Sequence, residues 1–286
     1  MAKCQVCFRQ CDLMEGQIGY CGARICAGGK VVANNYGRIT SLALDPIEKK
    51  PLRRFYPGTK ILSAGSYGCN LRCPFCQNSE ISWGEEVKAY TDTAETISPE
   101  TLVRIAEKYT KEGNIGLAFT YNEPLVGYEF IRDTAKLAHA KALKNVLVTN
   151  GTASLSILSE IAPYIDAMNI DLKCFREKTY RDVLGGDMEM TKAFISDAVK
   201  TAHVELTYLI VPGLNDSEEE IREMTGWIAS LKDSEGKTIG EEIPLHISRF
   251  FPRFHMTDRS ATPVGTVYTL AEIAREKLKF VYTGNC

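Results

Sequence analysis

The chain has 286 residues, 44% of them hydrophobic and 24% charged, with a formal net charge of −2. That length suits one large α/β domain or two smaller ones, and the near-neutral balance gives no electrostatic reason to expect nucleic acid or an anionic membrane as partner. No apolar run approaches the roughly 18–20 residues that cross a bilayer, and the start, "MAKCQVCFRQCD", has no apolar export segment, so a cytoplasmic protein is expected.

In chain order, residues 1–59 read as a small cysteine-rich N-terminal module with short strands at most ("KVVANNYGRITSLAL"), and residues 60–286 as the main domain. Ten cysteines in a reducing compartment point to metal binding or thiol chemistry before disulfides, and eight of the ten fall in two local groups. Cys4, Cys7, Cys11 and Cys21 supply four soft ligands, a set suited to zinc or to a second iron–sulfur cluster. Unliganded thiols are the alternative, and Cys26 stands outside the set. The segment "DPIEKKPLRRFYPG" (45–58), with three prolines and six charges, reads as an extended connection across a surface.

From residue 60 onward, short apolar runs alternate with amphipathic stretches. The runs are "KILSAGS" (60–66), "IGLAFT" (115–120), "NVLVTN" (145–150), "AMNIDLK" (167–173), "HVELTYLIV" (203–211) and "PLHISRF" (244–250). Between the first two, "SPETLVRIAEKYTKEG" predicts a helix capped by Ser98, opened by Pro99 and stopped by Gly113. "SEEEIREMTGWIASLK" (217–232) opens with a serine cap and acids that suit the helix dipole. Strands alternating with helices predict an α/β fold on a parallel sheet, either doubly wound or an incomplete barrel; periodicity leaves both open. Polar clusters ("FTYNEP", "TNG", "DLK", "VPGLND", "HISRF") fall at the C-terminal ends of these strands, where ligands gather in such folds.

The loop after the first run, "SYGCNLRCPFCQNSE" (66–80), spaces Cys69, Cys73 and Cys76 as C-x3-C-x2-C. Three thiolates can hold three corners of a [4Fe–4S] cube and leave one iron open, and an open coordination position marks catalysis. Phe75 places an aromatic ring beside the same loop. A zinc site completed by Cys174, His203 or His246, or a redox pair at Cys73 and Cys76, are the other readings of these residues.

This loop, following a strand, resembles the signature of the radical S-adenosylmethionine (radical SAM) superfamily. The resemblance implies a partial (β/α)6 TIM-type barrel, catalytic cluster ligands Cys69, Cys73 and Cys76, and S-adenosylmethionine on the open iron. It also implies a 5′-deoxyadenosyl radical that abstracts hydrogen from a substrate. The chain offers strand-end candidates for binding the cosubstrate. Asn122 and Glu123 of "TYNEP" would meet the methionine amino group. Asn150 of "TNG" and Asp171 and Lys173 of "DLK" resemble elements of the pyruvate formate-lyase activating enzymes that contact ribose, carboxylate or a cation. Asp171 and Lys173, two apart on a strand, share a face. Where those enzymes often carry an acid before Thr-Asn-Gly, this chain has Val148. Val211 and Asn215 resemble the adenine-packing segment and His246 the sixth-strand contact, while Arg249 and Arg253 suit an anionic substrate.

Long phrases ("MEGQIGYCGAR", "NNYGRITSLALDPIEKKPL", "GCNLRCPFCQN", "VYTGNC") resemble the AmmeMemoRadiSam-system radical SAM enzymes, relatives of the glycyl-radical activases. That likeness implies a low-potential electron donor such as flavodoxin or ferredoxin, and a protein or small-molecule substrate. A zinc-stabilised binding module without redox chemistry is the reading from another class.

Overall fold

In the computed structural model, which describes residues 1–83, 87 and 93–286, each of the six apolar runs becomes a strand. The sheet consists of β1 (Ser41–Pro46), β2 (Lys60–Gly65), β3 (Asn114–Thr120), β4 (Lys144–Thr149), β5 (Ala167–Asp171), β6 (His203–Ile210), β7 (Leu245–Arg249) and β8 (Val281–Gly284). Neighbours in space are neighbours in sequence from one edge to the other, and the edges do not meet. From β2 to β8 every pairing is parallel, while β1 runs antiparallel to β2.

The crossovers include helices α1 (Pro99–Lys108), α2 (Tyr128–Ala140), α3 (Leu155–Ile161), α4 (Glu177–Asp182), α5 (Met188–Ala198), α6 (Glu218–Ala229) and α7 (Val264–Arg275). The expected caps are present. Ser98 Oγ accepts from Thr101 N–H at 3.2 Å, and Ser217 Oγ accepts from Glu220 N–H at 3.2 Å. Gly113 follows α1 and its 3₁₀ extension with φ +91°.

The side-chain period of two splits the sheet's apolar residues between its faces. Leu62, Leu117, Leu147, Met168 and Leu206 pack outward in the large core shared with the helices. Ile61, Ala118, Val146 and Ala167, from four neighbouring strands, meet instead in a second cluster with Ile47, Leu52 and Phe55. Strands whose inward side chains converge on one plug form a curved wall, so the fold is a partial barrel.

The connection 45–58 therefore does not cross a surface as expected. Ile47 and Leu52 are fully buried, and the segment closes the barrel floor. Burying a leucine contributes about 1.5–3 kcal/mol, and of the neighbouring charges the buried Lys50 and Asp45 pair with each other at 2.9 Å while Lys49, Arg53 and Arg54 reach solvent. The peptide groups of the plug are also claimed. Glu205 accepts from Arg53 N–H (2.9 Å) and Arg54 N–H (2.7 Å), and Asn169 Nδ2 donates to the Pro51 carbonyl (2.9 Å).

Two strands lie beyond the six expected, one at each edge. β8 has only four residues, and β1 lies within the segment assigned to the N-terminal module, so the 59/60 boundary falls between two hydrogen-bonded strands. Upstream, Ala2–Lys3 pairs with Asp12–Leu13, and Arg24–Ala27 with Lys30–Ala33. The turn of the second hairpin is Gly28–Gly29, both at positive φ, as a two-residue hairpin turn demands. Among the described residues no helix is long and apolar enough to cross a membrane.

Candidate active site

Every parallel strand delivers its C-terminal end to one mouth, and the three-cysteine loop leaves from the end of β2. The loop is held from both sides. Gly68, at φ +94°, lies so close to the N-terminal module that a Cβ there would sit 2.6 Å from Ala23 Cβ and 2.7 Å from the Cys21 carbonyl oxygen. The Cys69 N–H donates to that same carbonyl (3.0 Å), and Arg72 N–H to Leu184 O (2.8 Å). On the barrel side, Asn122 accepts from Ser66 N–H (3.1 Å) and donates to Gly68 O (3.0 Å).

Cys73 is buried, and Cys69 and Cys76 are partly so. Burial, the nearby Glu123 carboxylate and the neighbouring thiols push Cys69 well above the ordinary thiol range. Burial pushes Cys73 up to about 12 despite the nearby Lys173 ammonium. Buried thiols that resist ionisation, as Cys69 and Cys73 do, need a cationic metal centre to become thiolates. The residues that a closed metal site would recruit are engaged elsewhere. The Cys174 thiol donates to the Arg176 carbonyl at 3.6 Å, while His203 and His246 both bond to Glu205 (2.9 and 2.6 Å). Donor chemistry and spacing thus fit a cluster with one open corner. Phe75 is buried in the main core and meets Phe250 edge-on at 6.4 Å.

Of the strand-end candidates, Asn150 reaches toward the cysteines themselves. Its Nδ2 donates to Asn70 Oδ1 (2.9 Å) and lies 3.8 Å from Cys69 Sγ. Glu123 is buried beside it, and both carboxylate oxygens are taken. Oε1 accepts from Leu125 N–H (3.0 Å) and the Thr149 hydroxyl (2.7 Å), and Oε2 from Asn150 N–H (2.7 Å). Burial raises its pKa to about 7 against those bonds. Glu123 and the Asn122 side chain therefore join the ends of β2, β3 and β4, and peptide groups are what this turn offers a ligand. Tyr121, just before them, holds φ +75°, the kind of backbone strain stored at binding turns.

Asp171 and Lys173 pair at 2.9 Å and are only partly buried. Burial opposes the Lys173 ammonium, but Asp171 and the Cys73 sulfur outweigh it and hold its pKa above the ordinary lysine value. Val211 is fully buried at the end of β6, its N–H on Asn215 Oδ1 (2.7 Å), and Asn215 Nδ2 reaches across to the Lys173 carbonyl (2.8 Å).

His246 is not brought to this mouth. It lies near the start of β7, stacks on Tyr282 (5.3 Å), and bonds the same Glu205 that anchors the floor. The period of two gave its face but not its depth. Arg249 donates to the Thr262 carbonyl (2.7 Å), and Arg253 is exposed. Asn70 went unnoticed in the sequence, since the positions between the cysteines carry no type signal. It connects the loop to Asn150 and, through Nδ2, to the Thr152 carbonyl (3.0 Å).

The profile described as "Radical SAM superfamily" matches residues 64–226, which span strands β3 to β6 and the three-cysteine loop. "Uncharacterized protein MJ0808" of Methanocaldococcus jannaschii is 37% identical over 99% of this chain and 81% of its own length. The pyruvate formate-lyase-activating enzyme of Clostridium pasteurianum is 29% identical over 63% of this chain and 72% of its own. Among solved structures, Streptococcus suis SuiB bound to S-adenosylmethionine shares the fold with a TM-score of 0.58. That match is 14% identical and covers 77% of this chain and 48% of the other.

Proposed function

The chain belongs to the radical SAM superfamily, and from that premise we propose that it cleaves S-adenosylmethionine reductively and directs the resulting radical at a carbon–hydrogen bond of a second molecule. The observation that carries this is the trio Cys69, Cys73 and Cys76 at the strand mouth, with Cys174, His203 and His246, the residues the sequence offered as a fourth ligand, each bonded elsewhere. These cysteines would hold a [4Fe–4S] cluster. Once reduced, it supplies the electron that splits the sulfonium into methionine and a 5′-deoxyadenosyl radical.

The chain's own residues bind and orient. The Lys173 ammonium suits the methionine carboxylate, and the Asp171 carboxylate beside it suits a ribose hydroxyl. The strained turn at Tyr121, Asn122 and Glu123 presents peptide carbonyls to the amino group. Val211, buried in the core at the end of β6, stands behind the position that adenine would take. Asn150 donates toward Cys69 and steadies that ligand. Phe75 and the core around it keep water from the buried side of the loop.

A low-potential one-electron donor such as flavodoxin or ferredoxin is the partner this chemistry requires. The likeness to a pyruvate formate-lyase-activating enzyme supports a glycyl-radical protein as one substrate class. The AmmeMemoRadiSam resemblance supports a small molecule as the other. A zinc module without redox chemistry would need the fourth ligand that Cys174, His203 and His246 do not offer.

Anaerobic reconstitution with iron and sulfide tests the reading. The protein should turn brown, bleach with dithionite, and form 5′-deoxyadenosine and methionine in equal amounts from S-adenosylmethionine. A colourless protein that leaves S-adenosylmethionine intact would overturn it.

A further inference from the structure

Away from the mouth, Cys4, Cys7, Cys11 and Cys21 line one cavity, with Val6 and Val126 as apolar walls and Arg9 and Arg24 as the charged ones. Three of these thiols are buried and Cys11 is partly so. The arrangement is fixed by backbone bonds. Cys4 N–H donates to the Cys11 carbonyl (2.9 Å), and Ser154 N–H, from the barrel, donates to the Val6 carbonyl (2.8 Å).

Arg24 makes the cavity more than a thiol cluster. Its side chain is 5% exposed, and its terminal nitrogens are occupied by Glu129 (2.6 Å) and the Val126 and Val31 carbonyls. Its Nε–H has no partner. A buried, unsatisfied donor costs about 1–3 kcal/mol, and beside four thiols the natural acceptor is an anionic sulfur. Thiolates on a zinc ion would accept from it as well, but among the described residues no group of three His, Cys, Asp or Glu side chains is placed to hold a single ion. An iron–sulfur cluster occupies a cavity and adds sulfide, and a donor to its sulfurs tunes its potential.

We propose that this cavity binds an iron–sulfur cluster through Cys4, Cys7, Cys11 and Cys21, with the Arg24 guanidinium donating to its sulfur. The site stands independently of the reading above, but its use rests on that reading. The Cys21 carbonyl accepts from Cys69 N–H, so one peptide hydrogen bond separates a ligand of one site from a ligand of the other. Asn70, which bonds Asn150 beside Cys69, is also a close neighbour of the Cys7 thiol. The cavity is placed to receive one electron from the low-potential donor and give one to the loop, with no atom or proton transferred.

The variant Cys69→Ala/Cys73→Ala/Cys76→Ala removes the loop's ligands and leaves the cavity intact. Reconstituted anaerobically, it should keep about four irons and as many labile sulfides per chain. After dithionite it should give a paramagnetic resonance signal that S-adenosylmethionine leaves unchanged. One zinc and no sulfide would overturn the cluster while leaving the loop's assignment untouched. In the full chain, Arg24→Gln should keep the iron and lower the midpoint potential of this cluster, because losing a cation disfavours the more negative reduced form, and Arg24→Lys should restore it. An unchanged potential removes Arg24 from the proposal. With reduced flavodoxin as probe, Cys7→Ser should slow reduction of the loop's cluster at least tenfold in stopped-flow absorbance; an unchanged rate overturns the electron path.

Discussion

Two buried carboxylates stand at opposite ends of the barrel, each tied by three or more hydrogen bonds, yet they titrate in opposite directions. Glu205 at the floor is fully buried. Burial alone would raise it, but His203, His246 and the amides of Arg53 and Arg54 hold it down to about 2. Glu123 at the mouth accepts from two amides and a hydroxyl, and burial lifts it to about 7. The difference lies in the donors. The floor supplies four donors, two imidazole nitrogens and two amides, whereas the mouth supplies two amides and a hydroxyl, with the Lys173 ammonium acting from further off. The floor is electrostatically complete without a ligand. The mouth leaves its buried carboxylate less fully compensated.

The sharpest way to break this contrast is to disarm the mouth and leave the floor alone. Cys73→Ala should reduce 5′-deoxyadenosine formation by at least a thousandfold, about 4 kcal/mol at 1.4 kcal/mol per decade, with the apo-protein's denaturation midpoint nearly unchanged. If the variant still cleaves S-adenosylmethionine at the parent rate, the site is misplaced. The converse experiment is Leu52→Ala, which opens a cavity in the plug and should cost about 2–5 kcal/mol in chemical denaturation. Turnover of the protein that remains folded should be unchanged.

Glu205→Gln sharpens the electrostatic half of the comparison. Removing the charge that two histidines and two amides share should cost about 2 kcal/mol at neutral pH. The sign of the pH effect follows from the depressed pKa. The unfolded carboxyl titrates at roughly 4.3, so the stability that Glu205 contributes is full above that value and is lost as pH falls toward about 2. The parent should therefore lose more stability than Glu205→Gln across that acid window, read by urea denaturation at each pH. The smallest effect expected is that of Lys173→Gln, about a tenfold weaker S-adenosylmethionine affinity by equilibrium binding, or 1.4 kcal/mol, with the cluster's iron content retained.

Much of this architecture was legible in the chain. The six inner strands are apolar runs with clear boundaries, and the helix caps at Ser98 and Ser217 are local chemistry that needs no tertiary context. The cysteine spacing located the mouth. What stayed hidden was depth and partnership. His246 faces the barrel interior, as alternation requires, but only the fold shows that Glu205 claims it. Glu123 sits at the expected turn, yet its oxygens serve Leu125, Thr149 and Asn150. Prolines and charges disguised the plug, because the three apolar residues that fill the floor are diluted among them. Four residues of β8 carry too little pattern to stand out.

The plug and β1 both belong to the stretch before Lys60, so the barrel borrows its base and one selvedge from a segment that looks separable. A shortened chain beginning at Lys60 would leave the backbone of β2 without its antiparallel neighbour and uncover Ile61, Ala118, Val146 and Ala167. Bare strand backbone beside an apolar hollow is a template for pairing between molecules. The stretch before Lys60 and the barrel are thus joined by strand pairing and a shared apolar floor, and cutting between them would lay both open.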